Sequence, residues 1–173
     1  MKLDATCRNV ELILCDVDGV LTDGGIVFDN QGIETKQFHI RDGLGIRLWR
    51  RAGYQFGIIT GRTSHIVKIR AAELGIQEVR QGTEVKLPAA REVWEKLGLT
   101  AKQVCFIGDD LPDLATVREV GLGVAVADAV PEVIQAADHV TRLAGGHGAV
   151  REVVEMVLKA KQRWTELVER YSS

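Results

Sequence analysis

Val10-Glu11-Leu12-Ile13-Leu14-Cys15, followed at once by Asp16-Val17-Asp18-Gly19-Val20-Leu21-Thr22-Asp23-Gly24, is the stretch that decides how the chain folds. Its first six residues form a short apolar run that reads as a buried strand. Asp16 and Asp18 therefore stand at the carboxyl end of a strand, two positions apart. Side chains at i and i+2 leave a strand on the same side, so two carboxylates face one small volume. At a separation of about 4 Å and an effective dielectric of about 20, such a pair repels by about 4 kcal/mol. A cation or a shared proton is needed to hold it, which is the arrangement of a catalytic site more often than of a structural one.

Outward from this strand the pattern alternates. Strands are predicted at Glu11–Asp16, Gln55–Thr60, Ile76–Arg80, Val104–Gly108, Gly123–Ala127 and His139-Val140. Helices are predicted at Leu44–Ala52, Ser64–Leu74, Val85–Leu97, Asp113–Val120, Val130–Ala136 and from Ala149 onward. Alternation of this kind specifies an α/β fold, a doubly wound, Rossmann-like parallel sheet with helices on both faces and ligands at the carboxyl ends of the strands. At 173 residues the chain fits one domain, 1–173, with one core. One piece breaks the alternation. In residues 24–40, Gly25-Ile26-Val27-Phe28 and Ile33-Glu34-Thr35-Lys36-Gln37-Phe38 flank the turn Asp29-Asn30-Gln31-Gly32, which predicts a β-hairpin flap projecting beside the paired aspartates. A lone hairpin is marginal, so it is expected to pack on something, a second subunit being the favoured candidate.

Net charge is −2 and no basic tract occurs, which argues against nucleic acid as a partner. No stretch is apolar enough to span a membrane and the first residues lack a signal-peptide pattern, which points to the cytoplasm. The three cysteines, Cys7, Cys15 and Cys105, show neither paired number nor metal-ligand spacing. Cys15 and Cys105 fall within predicted strands as small apolar residues. His39, His65 and His139 likewise share no metal-ligand spacing.

Three other predicted element boundaries carry matching chemistry. Thr60-Gly61-Arg62 ends the second sheet strand and offers a hydroxyl and a glycine amide to an oxyanion. Lys86 opens a predicted helix, where anions are already favoured. Gly108-Asp109-Asp110-Leu111-Pro112-Asp113 ends another strand with a second acidic cluster, a set of hard oxygens suited to Mg²⁺. Singly, these features are also what a turn, a surface lysine and a helix cap would look like. Their order, each at a strand end or a helix start, is what joins them. Together they predict phosphoryl transfer through a covalent aspartate. Asp16 attacks phosphorus, and Asp18 protonates the leaving oxygen and then deprotonates water. Thr60, the Gly61 amide and Lys86 hold the phosphoryl oxygens. Asp16, Asp18 and Asp109 hold the metal, with Asp113 and Asp110 behind them, Asp110 having helix capping as its alternative.

These pieces resemble the motifs of the haloacid dehalogenase superfamily of phosphatases: DxDGxxTD, the threonine, the lysine and GDDxxD. Two further segments, Phe38-His39-Ile40-Arg41-Asp42-Gly43-Leu44-Gly45-Ile46 and Gly145-Gly146-His147-Gly148-Ala149-Val150-Arg151-Glu152, are similar to those of its 3-deoxy-D-manno-octulosonate 8-phosphate phosphatase branch. The resemblance spans Val10 to Lys159. It implies Mg²⁺-dependent hydrolysis of a keto-sugar acid phosphate in lipopolysaccharide precursor synthesis by a capless enzyme. It further implies a homotetramer in which hairpins assemble together and a neighbour's C-terminal segment closes the site. Arg41, Asp42, Gly43, Arg62 and His147 would then recognise the sugar acid. The intervals from Asp16 to Thr60 and from Thr60 to Lys86 independently leave no room for a lid domain. His147 departs from the arginine or lysine usual in that branch and is charged only in part near neutral pH. It therefore keeps phosphatases of nine-carbon keto-sugar acid 9-phosphates in contention, and a plain turn role is its alternative.

Two readings of other classes stand beside the phosphatase. A phosphoacceptor signalling module would place its acidic pair and its phosphorylated aspartate on different strands, whereas here Asp16 and Asp18 share one. An inactive interaction domain would not need the full set of Asp16, Asp18, Thr60, Lys86 and Asp109. From Ala149 the spacing of Val150, Val153, Val154, Val157 and Leu158 predicts an amphipathic helix on the chain's own sheet. Lys159–Arg163 interrupts it, and the last part of 149–173 is expected to be a partner-facing or frayed tail.

Overall fold

The computed structural model describes residues 2–171. Six strands form one parallel sheet in the order β5-β4-β1-β6-β7-β8. They are β1 (Leu12–Cys15), β4 (Gln55–Ile59), β5 (Glu78–Arg80), β6 (Val104–Gly108), β7 (Leu122–Ala125) and β8 (His139–Val140). β1 lies in the middle, pairing β4 on one edge and β6 on the other. All four of its residues are fully buried, which is why it reads as an unbroken apolar run rather than an alternation. The chain winds from β1 through β4 to β5, then returns past β1 to β6, β7 and β8. The strand order thus reverses beside β1, the point where an open parallel sheet leaves a crevice at its carboxyl edge.

The helices are α1 (Lys2–Asn9), α2 (Ile40–Arg51), α3 (His65–Leu74), α4 (Lys86–Lys96), α5 (Leu114–Glu119), α6 (Pro131–Ala136), α7 (Ala149–Ala160) and α8 (Trp164–Glu169). α2 packs on α7, and α7 on α1, while α4, α5 and α6 form a second layer. The six strands and the helices from α2 to α7 were legible in the sequence, β6 and β8 with the bounds expected, α7 with the start expected and the others with one or both ends shifted.

Three differences have physical causes. α2 begins at Ile40 rather than Leu44, capped by His39, whose Nδ1 accepts the Arg41 amide at 3.3 Å. Gly43 and Gly45 weaken that first turn as a sequence signal, each by about 1 kcal/mol. Tertiary packing requires them. A Cβ on Gly43 would stand 2.4 Å from the Arg70 guanidinium, and one on Gly45 3.2 Å from the Arg151 backbone of α7. α1 carries too few apolar residues to announce itself, yet Leu3 and Cys7 dock on the core. The amphipathic helix expected from Ala149 is present, and the frayed reading of the last part is corrected at residues 164–171. α7 buries Val150, Val153, Val154, Val157 and Leu158, and after a turn at Gln162 the chain folds back as α8, burying Leu167. Trp164 sits under Arg151 and Lys159, and Arg51 donates to the Tyr171 hydroxyl at 2.9 Å. Arg51 closes the helix that precedes β4, so α8 lies at the sheet's amino edge, opposite the crevice.

The hairpin is present but short: β2 (Val27–Phe28) pairs antiparallel with β3 (Glu34–Thr35). Asp29 Oδ1 accepts the amides of Gln31 and Ile33, each at 2.8 Å, and Gly32 supplies the positive φ that closes the turn. Ile26, Val27, Phe28 and Ile33 are about half exposed, so the tip leaves an apolar surface uncovered in the protomer.

Candidate active site

β1 ends on Asp16, whose amide still donates to Ile107 of β6 at 3.1 Å, so the carboxylate is launched from rigid sheet. The chain then curls tightly. The Val17 carbonyl accepts the amides of Val20, Leu21 and Thr22, and the buried Thr22 hydroxyl oxygen accepts the Gly24 amide at 3.2 Å. Gly19 sits at φ +91°, and a Cβ there would lie 2.0 Å from Asp109 Oδ2. Only glycine allows the loop after β1 and the carboxylate after β6 to meet. From the other side the Ala144–Gly148 turn presses on the same loop. The Gly146 amide donates to Val20 at 2.9 Å, and a Cβ on Gly145 would overlap the Gly19 carbonyl at 1.8 Å.

Lys86, at the start of α4, reaches this point with its side chain buried. Its Nζ donates to Asp16 Oδ2 and to Asp113 Oδ1, both at 2.6 Å. Asp113 is fully buried, and its Oδ2 accepts the amides of Asp109 at 3.0 Å and Asp110 at 3.4 Å. Both Asp113 oxygens are therefore committed to shaping the acidic loop. The carboxylates of Asp16, Asp109 and Asp113 offer oxygens within 4.8 Å of one another. Oδ1 of Asp16 and Oδ1 of Asp109 are buried with no hydrogen-bond partner. Buried acceptors without a donor are costly, and two of them on neighbouring carboxylates of one cluster are the chemistry of a site that receives a positive group.

The electrostatics agree. Burial, then the Asp113 charge, push Asp16 up to about 6 against the pull of Lys86. Burial, then Asp113 and Asp16, push Asp109 up to about 8. Burial would lower Lys86, but Asp16 and Asp113 outweigh it and the ammonium is held above its ordinary range. One lysine does not neutralise the three carboxylates. Hard oxygens at this spacing fit a small divalent cation.

Thr60 ends β4 buried, its amide donating to Arg80 at 2.9 Å and its carbonyl accepting Thr83 at 3.1 Å. Thr60, Gly61 and Arg62 line a cleft of about 380 Å³ with Asp16, Asp18, Lys86, Asp109 and Asp110. Four strand ends or helix starts thus converge on it, in the positions the motif spacing predicts. A larger cleft, of about 800 Å³, lies elsewhere, lined by Arg41, Arg142, Arg151 and Glu155 among others. It holds none of the aspartates, and the chemistry selects the smaller one.

The remaining predicted residues fall as follows. The Asp18 carboxylate stands apart from the Asp16–Asp109–Asp113 group and turns to Lys36 of the hairpin, so its side chain is not placed as a metal ligand. Asp110 caps the short turn Leu111–Asp113, accepting the Leu111 amide at 2.7 Å. Arg62 donates to Glu34 at 2.6 Å. Arg41, Asp42, Gly43 and His147 do not line this cleft within the protomer. Asp42 is buried, accepts the Arg151 amide at 2.7 Å and ties α2 to α7. His147 is exposed, its Nδ1 lying 2.7 Å from the carbonyl of Gly145 in its own turn. Sequence reasoning missed Glu34 and Lys36. The available signal was two charges at i and i+2 in a hairpin strand, which puts them on one face.

The model of the haloacid dehalogenase-like hydrolases matches residues 79–153, from β5 into α7. A curated relative from Escherichia coli strain K12, the 3-deoxy-D-manno-octulosonate 8-phosphate phosphatase KdsC, is 47% identical over 162 residues, 94% of this chain and 86% of the relative. Among solved structures, a 3-deoxy-D-manno-octulosonate 8-phosphate phosphatase from Moraxella catarrhalis, in complex with magnesium, phosphate and KDO, superposes with a TM-score of 0.97 at 40% identity, covering 98% of each chain. A cobalt-bound deoxy-D-mannose-octulosonate 8-phosphate phosphatase from Haemophilus influenzae superposes with a TM-score of 0.90 at 41% identity, covering 92% of this chain and 94% of that one. With 47% identity to such a relative over 94% of its length, the chain belongs to the haloacid dehalogenase-like hydrolases, in the family of the 3-deoxy-D-manno-octulosonate 8-phosphate phosphatases.

Proposed function

We propose that the chain is a magnesium-dependent phosphoric monoester hydrolase that converts 3-deoxy-D-manno-octulosonate 8-phosphate to the free sugar acid and inorganic phosphate, a step of lipopolysaccharide precursor synthesis. The observation that carries the reading is the pair of buried, unpartnered oxygens on Asp16 and Asp109, at the head of a cleft lined by Thr60, Gly61 and Lys86. Those two carboxylates fit magnesium, with Asp113 orienting the loop behind them. When bound, the ion supplies the positive charge that lets an anionic carboxylate approach an anionic ester.

Lys86 fixes the Asp16 carboxylate toward the cleft. Asp16 forms a bond to phosphorus as the ester oxygen departs, and Asp18 gives that oxygen its proton. A water molecule then attacks the aspartyl phosphate, Asp18 takes the water's proton, and Asp16 is released with inorganic phosphate. The Thr60 hydroxyl, the Gly61 amide and the Lys86 ammonium hold the transferring oxygens. Arg62 is the sugar-facing cation of this cleft. Arg41 and His147, exposed outside it, serve the sugar acid of a neighbouring copy, and Asp42 and Gly43 support the helix that carries Arg41.

The apolar hairpin tip favours a homotetramer whose hairpins cover one another, and the enzyme is assigned to the cytoplasm. Among the described residues no helix is long and apolar enough to cross a membrane. The nine-carbon and phosphoacceptor readings are not favoured. The relatives reported above are eight-carbon sugar-acid phosphatases, and Asp16 and Asp18 share one loop. Phosphate release with Mg²⁺ from a panel of eight-carbon and nine-carbon keto-acid phosphates and hexose phosphates tests this. A strong preference for the eight-carbon acid is expected. Preference for the nine-carbon acid, or a flat profile, would overturn the substrate assignment.

A further inference from the structure

Lys36 lies outside every motif of the chain, yet its side chain is only 1% exposed in a hairpin that is otherwise open to solvent. Its Nζ bonds Asp18 Oδ1 and lies 3.4 Å from Glu34 Oε1, and the same Glu34 oxygen accepts Arg62 at 2.6 Å. Four alternating charges, Asp18, Lys36, Glu34 and Arg62, therefore run from the loop after β1, through β3 and the residue that follows it, to the loop after β4. A buried ammonium is tolerated only where it is paired, so the base of the hairpin docks in this position with Asp18 as its hydrogen-bonded partner and Glu34 behind it. Conversely, Asp18 is not free to turn. Lys36 occupies Oδ1, which leaves Oδ2 as the oxygen that can carry a proton to a leaving group.

We propose that Lys36 is a positioning residue for proton transfer: it holds Asp18 in the orientation that presents Oδ2 to the leaving oxygen, and so couples the seating of the hairpin to the chemistry. The proposal rests on Asp18 being the acid and base of the phosphatase described above. Glu34 extends the coupling, because the carboxylate that steadies Lys36 also holds Arg62 at the cleft wall. Seating the hairpin thus sets the acid and the sugar-facing cation together. The role differs from that of a residue that merely folds the hairpin. Loss of a well-placed acid harms an alkyl ester, whose alkoxide cannot depart unprotonated, far more than an aryl ester, whose leaving group departs without help.

The experiment compares kcat/KM, which reports the step up to leaving-group departure, for two esters in wild type, Lys36→Met, Lys36→Arg and Glu34→Gln. The esters are p-nitrophenyl phosphate and the sugar phosphate that the wild type turns over best, with thermal unfolding of each protein recorded alongside. Lys36→Met is expected to lose about 10²-fold on the sugar phosphate, the lower end of what general acid catalysis supplies, and a few-fold at most on the aryl ester. Lys36→Arg should recover most of that loss, and Glu34→Gln should show a smaller bias in the same direction. Equal losses on both esters, or no loss on either, overturn the proposal, including in Glu34→Gln should Lys36→Met fail to fold. A wild type that hydrolyses neither ester would instead overturn the phosphatase reading on which the proposal rests.

Discussion

Replacing Gly19 with alanine separates what the acidic site needs from what the fold needs. The new Cβ would stand 2.0 Å from Asp109 Oδ2, where ordinary contact begins at 3.4 Å, so the carboxylate must retreat by about 1.4 Å. It can do so cheaply, because the obstacle is the free end of a side chain and its other oxygen, Oδ1, has no partner to lose. The main chain cannot follow, since Asp113 Oδ2 holds the Asp109 amide. The stability cost is then mainly that of an alanine at φ +91°, about 1–2 kcal/mol, or roughly 2–8 °C in Tm for a domain of this size. A misplacement of about 1 Å in a catalytic group costs about 10²-fold in rate. Thermal unfolding and initial rates on the preferred substrate read the two effects separately. Gly145→Ala is the contrast: its Cβ would lie 1.8 Å from the Gly19 carbonyl, backbone that cannot step aside, so stability should suffer more than in Gly19→Ala. A Gly19→Ala enzyme within a few-fold of wild-type activity, at the expected Tm, would refute the claim that the placement of Asp109 matters.

Two further perturbations address charge and assembly. In metal-free protein Asp16 and Asp109 titrate near 6 and 8, against about 3.9 in the unfolded chain, so the folded state retains protons that the unfolded state releases. Stability should therefore fall as pH rises from 6 to 8, by about 1–2 kcal/mol after discounting for solvent around Asp109. Magnesium needs both carboxylates ionised, so millimolar Mg²⁺ should shrink or reverse that fall. A chelated protein whose Tm climbs over the same range would contradict the electrostatics. Phe28→Asp places a charge in the exposed apolar tip of the hairpin. It is expected to leave the protomer folded while lowering the light-scattering mass from four times 19.0 kDa, and a wild type that is already monomeric at micromolar concentration would refute the assembly.

The parts of the fold legible in the sequence were those where a local pattern and its tertiary use coincide. β1 is apolar because it is the central strand, and the turn of polar residues after each strand is polar because it faces the crevice. Asp16, Thr60, Lys86 and Asp109 could therefore be placed at one edge of one sheet by order alone. Where tertiary demand opposes local preference, the sequence misleads. Gly43 read as the end of a loop and the helix as starting at Leu44, although both Gly43 and Gly45 lie within the first two turns of α2, packed close to the Arg70 guanidinium and the Arg151 backbone. Asp42 gave no hint of its tertiary use, since its carboxylate accepts an amide from α7, more than a hundred positions away. Glu34 and Lys36 carried only the weak signal of two charges at i and i+2, because a lysine in a hairpin is ordinarily solvated and only the docking of that hairpin buries it.

The separation of the strand ends from the hairpin also bears on specificity. In the proposed function the carboxylates, a hydroxyl, an amide and a lysine at the edge of the parallel sheet serve the phosphoryl group, and that group is the same in every phosphate monoester. The cleft of about 380 Å³ is small and lined mostly by polar residues, which gives it few means of distinguishing one sugar from another. Among the described residues that line it, Arg62 is the cation besides buried Lys86, and Glu34 of the hairpin already holds it. An incoming carboxylate must compete with Glu34 for that guanidinium. Discrimination between a sugar acid and a neutral sugar thus depends on how firmly the hairpin is seated. The tip of the same hairpin carries the uncovered apolar residues, so any surface that covers the tip also acts on the seat of Lys36 and Glu34. On the proposed function, catalysis falls to the sheet edge, whereas selection falls to the hairpin and to whatever buries it.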